Sequence, residues 1–167
     1  HEDSMWSIEA KYLPEDKITS LKRWLLNFSG DLDLNNKTQL SVQYSRVSDS
    51  EYFKEIARTN LDAKTLKSFI KLTYDDKDEK LLLGILTEDE QVVNLGVPIY
   101  TRALEASISK TFNADSKMPI KAKLVSTKFA HDTKSKTSGV RTHGDLGVSR
   151  ELNIAYPKVT PKASVAF

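Results

Sequence analysis

Two histidines stand beside acids: His131 precedes Asp132, and His143 lies two residues before Asp145. A carboxylate that orients an imidazole is half of an acid–base pair. Both pairs fall in a polar stretch, roughly 130–149, that holds Gly139, Gly144 and Gly147, and no nucleophile is marked beside them. The chain has no GxSxG elbow, P-loop, GxGxxG or HExxH, and no zinc-ligand spacing. Cysteine is absent, which excludes a disulfide scaffold, thiolate metal sites and cysteine catalysis; His1, His131 and His143 leave little material for zinc. The run Asp75-Asp76-Lys77-Asp78-Glu79 lacks the glycine and distal glutamate of a calcium loop. No catalytic residue, metal or cofactor is expected.

Binding chemistry has more to work with. Residues 1–100 carry 13 Lys+Arg against 18 Asp+Glu, a net of −5; residues 101–167 carry 12 against 5, a net of +7. A stripe formed by Lys121, Lys123, Lys128, Lys134, Lys136 and Arg141 would bind phosphate backbones by counterion release, without reading sequence. The plainer reading is a solvated basic face. Phe129 and Tyr156 are either stacking groups for unpaired bases or core rings.

These residues need elements to position them. At 167 residues with 39% apolar and 29% charged, the chain is expected to form one domain with a real core. No window approaches the ~18 continuous apolar residues of a membrane span, so a membrane-integral protein is not expected. No signal-peptide pattern is seen, and the lack of cysteine fits the cytosol. Residues 1–4 resemble an expression remnant before Met5, 5–157 read as a single folded domain, and 158–167 as a fraying tail.

Pro14, Glu15 and Asp16 open a predicted helix with Ile18, Leu21, Leu25 and Phe28 on one stripe and Gly30 as its stop. Residues 38–47 alternate as a strand, with Leu40, Val42 and Tyr44 on one face. Ser48 and Glu51 have capping-box spacing before a short helix with Phe53, Ile56 and Ala57. Residues 69–74 and 80–86 read as a hairpin around the acidic run. Strands are expected at 97–102, 119–129 and 152–156; in the second, Ile120, Ala122 and Leu124 should be buried and Lys121 and Lys123 exposed. The predicted class is mainly β, a sandwich with one or two N-terminal helices, with an α+β sheet as the alternative.

Four short pieces resemble a family. Asn94-Leu95-Gly96-Val97-Pro98-Ile99, then Pro119-Ile120 with Leu124-Val125-Ser126-Thr127-Lys128-Phe129, then Gly144-Asp145-Leu146, then Tyr156-Pro157-Lys158 are similar in order and spacing to strand motifs of the thirty-kilodalton superfamily of plant-virus movement proteins. The chain departs at that family's aspartate, which falls on Ser126, at its arginine, on Lys128, and at its histidine, on Asn94. The resemblance implies a jelly roll without enzymatic activity that binds single-stranded nucleic acid, self-associates and engages host plasmodesmal proteins. It implies a place in the host cytoplasm and at cell junctions, and cell-to-cell transport of a viral genome. A matrix- or capsid-like protein acting by self-association is the alternative.

Overall fold

Alternation with a period of two dominates the chain, and the fold follows it. A computed structural model describes residues 4–17, 20–57, 64–93, 100–131 and 136–149, with the backbone alone at 56–57 and 162–166. Its strands are β1 (Met5–Leu13), β2 (Arg23–Asn35), β3 (Thr38–Val47), β4 (Thr65–Asp76), β5 (Leu81–Val92), β6 (Tyr100–Phe112), β7 (Ile120–His131), β8 (Gly139–Ser149) and β9 (Lys162–Ala166). They form one antiparallel sheet in sequence order, with β1 and β9 at its edges. A single π-helical turn, Phe53–Ala57, lies between β3 and β4.

This arrangement corrects the expected jelly roll. A sandwich needs two layers and crossing connections, whereas here neighbours in sequence are neighbours in space and close contacts run essentially between consecutive strands. The described residues of 14–30 are also not a helix. Residues 14–17 and 20–22 lie between β1 and β2, with Ser20 at a φ of 56°, and β2 follows. The segment satisfies both periods: Leu21, Leu25 and Phe28 suit a helix, but Trp24, Leu26, Phe28 and Leu32 alternate, and β1 and β3 supply backbone partners on both sides. Ile18 lies outside the described residues. The strand at 38–47, the hairpin around the acidic run and the strand opening at 120 are as expected. Residues 158–167, expected as a tail, contribute β9, which pairs with β8. The expected strand at 152–156 and residues 97–99 of that at 97–102 lie outside the described residues, while 100–102 open β6.

Turn chemistry closes the hairpins at one end of the sheet. Asp76 accepts from the backbone N–H groups of Asp78 and Glu79 at 3.2 Å each, from Tyr74 Oη at 3.0 Å and from Lys37 Nζ at 2.8 Å. It therefore ties the β2–β3 turn to the β4–β5 turn. Lys80 and Asn113 take φ values of 51° and 49° where turns 77–80 and 113–119 bend. At the other end, the ladder between β3 and β4 stops at Gln43 and Phe69. Beyond it, side chains replace backbone groups. Ser68 Oγ accepts from Ser45 N at 3.1 Å and donates to Ser45 O at 3.3 Å. Gln91 likewise accepts from Val47 N at 2.9 Å and donates to Val47 O at 2.7 Å.

What the sheet does not do is bury itself. The chain exposes 12409 Å², against about 8,300 Å² for a compact monomer of its 18.8 kDa mass. Among the described residues the buried apolar cluster is Leu25, Val47, Tyr52, Phe53, Leu66 and Val93, gathered where the 48–57 segment folds onto the sheet.

Candidate functional site

Register and alternation assign every strand residue to one of two faces. One face collects Trp6, Ile8, Tyr12, Trp24, Leu26, Phe28, Leu32, Leu40, Val42 and Tyr44 from β1–β3. It continues through Ile70, Leu72, Leu83, Ile85, Leu104, Ile108, Phe112, Leu124 and Leu146 on β4–β8. Among the described residues, twenty large apolar side chains are exposed, and fourteen of them lie on this face. That is far beyond scattered surface hydrophobes and makes one contiguous band.

The band has margins. Arg46 and Asp89 form an ion pair at one edge, and Lys128 projects on the same side one strand pair further. At the opposite edge stand Asp76 with Lys37, and Lys110 with Glu79 at 3.3 Å. Lys37 sits in a turn, and its hydrogen bond to Asp76 holds its ammonium above the ordinary lysine value. On β7 the band runs from Ile120 to Lys128, nine residues whose eight steps span about 27 Å of strand. Tyr12, Trp24 and Tyr44 lie towards the first margin, and Tyr74 and Phe112 towards the second.

The other face is polar. Glu88 sits at its centre, accepting from Arg102 Nη2 and Nε at 2.6 and 2.7 Å and from Lys67 Nζ at 2.8 Å. Arg102 also reaches Glu105 at 3.3 Å, and Thr127 Oγ1 donates to Glu105 at 3.0 Å, so one network crosses β4 to β7. Near β1–β3, Arg23 is 3% exposed and held by Asp16 at 3.4 Å, Asp49 at 3.1 Å and Glu55 at 2.7 Å. These contacts draw the 48–57 segment over the polar face, where Tyr52 and Phe53 meet Leu25 and Val47.

The expected basic stripe is split. Lys121, Lys123 and Arg141 share the polar face, Lys128 projects from the apolar one, and Lys136 sits exposed in the β7–β8 connection. Lys134 lies outside the described residues. His143 Nε2 is 3.0 Å from Asp145 Oδ1, beside Lys123 in the register, and the His131 ring lies edge-on to Tyr100 at 4.9 Å. Leu124, expected buried, is 47% exposed on the apolar band. Ser126 exchanges a hydrogen bond with Thr142 at 3.2 Å, while Gly144 is buried opposite Leu124 and Leu146 is exposed opposite Ala122. Leu95, Gly96, Tyr156 and Pro157 lie outside the described residues. Sequence reasoning missed the Arg23 and Glu88 networks; pairing charges across strands requires the register.

A family model described as LptD, LPS transport system D, matches residues 22–166. The chain belongs to the LPS transport system D family. No curated protein matches the chain. The family match covers β2 to β9 and all four pieces that resembled plant-virus movement proteins, so that resemblance is corrected. With it go the movement function and its capsid-like alternative, the nucleic-acid and plasmodesmal partners, and the place at plant cell junctions. The reason is physical. Pieces of two to six residues recur readily in antiparallel sheets of this composition, and they carry no signature of what covers the sheet.

Proposed function

We propose that this chain is part of the membrane-spanning β-wall of an LPS transport system D protein, with its apolar face towards lipid and its polar face lining the path of lipopolysaccharide. The observation that carries this reading is the uncovered apolar band bounded by charges. Strands β1–β8 run nine to thirteen residues, and a tilted transmembrane strand needs about 9–11. A strand length of about 27 Å, tilted by about 40°, gives a band of roughly 20 Å, near the height of such barrels. Aromatic residues towards both margins fit the interfacial girdles of outer-membrane barrels. The family match adds the outer membrane and lipopolysaccharide. The polar face then presents Lys121, Lys123 and Arg141 to a phosphorylated glycolipid. In lipid, unpaired strand edges are not tolerated, so β1 and β9 each require a neighbouring strand.

This reading corrects the exclusion of a membrane protein. No described helix is long and apolar enough to cross a membrane, but a strand that is apolar on one side never produces a continuous apolar run.

Ile85→Arg and Ile108→Arg test the proposal. Both side chains are about half exposed. In a water-facing sheet such changes are worth within about 0.5 kcal/mol; in a bilayer each costs about 2–4 kcal/mol at mid-depth. Unfolding titrations of the chain reconstituted in lipid decide, with Ser107→Arg on the polar face as the near-neutral control. Equal stability of all three variants would overturn the reading.

A further inference from the structure

The apolar face is not uniform. Where the β3–β4 ladder ends, a groove of about 200 Å³ opens, walled by Val42, Tyr44 and Ile70 and floored by the smaller Ser68 and Thr87. It exists because the β3–β4 ladder ends at Gln43 and Phe69, beyond which β3 is held by side chains, Ser68 of β4 and Gln91 of β5, so β3 and β4 stand apart on this face. Asp89 lines the groove at the end beyond the ladder, and Arg46 pairs with it there.

From this geometry we infer that the groove holds one acyl chain of a zwitterionic phospholipid, with the headgroup on Arg46 and Asp89. The inference rests on the membrane reading above. Depth is the first argument: the groove lies inside the apolar band and ends at its charged margin, as an acyl chain ends at its headgroup. Charge is the second. Arg46 and Asp89 remain 26% and 56% exposed while paired, so the site offers a cation and an anion side by side. A zwitterionic headgroup presents a phosphate and an ammonium at similar separation and satisfies both; an anionic headgroup would place uncompensated negative charge against Asp89.

The full chain in detergent micelles is incubated with phosphatidylethanolamine or phosphatidylglycerol and examined by native mass spectrometry. One phosphatidylethanolamine should remain bound per chain, at least tenfold in preference to phosphatidylglycerol. Arg46→Gln with Asp89→Asn should abolish the preference. Val42→Phe, which fills the groove, should abolish the adduct, while Ala106→Leu on the same face outside it should not. Equal retention of both lipids by the unaltered chain overturns the inference, as does an adduct that survives Val42→Phe or retention of lipopolysaccharide instead. A chain that enters micelles but keeps no zwitterionic lipid overturns the inference alone; one that never enters them overturns the membrane reading as well.

Discussion

Gly30 shows how one residue type carries different meanings. In the sequence it reads as a helix stop; in the sheet it is buried under the Trp6 indole, which also stacks on Phe28 with centroids 5.3 Å apart. A Cβ at Gly30 would lie 2.1 Å from the indole ring, so Gly30→Ala must displace Trp6 from its seat. The expected loss is about 1–3 kcal/mol, and in the Trp6→Ala background the same change should cost much less. Additive losses in a thermal or urea double-mutant cycle would show that the ring does not sit there. Arg23 makes the opposite point, because nothing in its sequence neighbourhood announces it. Arg23→Ala would leave Asp16, Asp49 and Glu55 around a missing cation, at about 3 kcal/mol. Arg23→Lys should recover only part of this, since a compact ammonium keeps the charge but lacks the planar fork that reaches Asp49 through Nη2 and Asp16 and Glu55 through Nη1. A loss below about 0.5 kcal/mol in denaturant titration would place Arg23 among ordinary surface charges.

At the scale of elements, the strands were legible wherever alternation was unopposed. Thr38–Val47 and the hairpin around the acidic run needed only period two and a polar break. Residues 14–30 were not legible, because Phe28 serves both periods with Leu25 and Leu26 beside it, and the deciding contribution, a ladder on each side of β2, is non-local. The 48–57 segment was half legible. Its helical turn formed, with Asp49 rather than Ser48 accepting from the Glu51 N–H at 3.1 Å, but its docking through Arg23 depends on tertiary structure. The acidic run forms a turn, as its sequence implies, and Asp76 within it ties two turns together. Asp76→Ala should therefore loosen two hairpins together. Amide exchange should quicken at 36–37 as well as at 77–80, with about 1–2 kcal/mol lost. Faster exchange at 77–80 alone would mean that Lys37 and Asp76 do not couple them.

At the scale of the whole molecule, alternation identifies an apolar face but not the medium that covers it. Burial of Ile120, Ala122 and Leu124 was expected because a second layer was assumed; the structure leaves Leu124 open on a band shared by eight strands. Both tryptophans of the chain lie on that band, which makes fluorescence a direct probe of it. Trp6 pairs with Gly30 near the middle of β2, and Trp24 stands at its first turn of alternation, six residues away. Six residues span about 20 Å of strand, or about 15 Å of depth at a barrel strand's tilt. In vesicles of brominated phospholipids, Trp6 observed in the Trp24→Phe variant should be quenched most by bromines deep in the acyl chains. Trp24 observed in the Trp6→Phe variant should respond most to bromines near the headgroup. The order follows from the register alone, whatever the protein carries across. Equal quenching at all depths, or none, would mean that lipid does not cover this face.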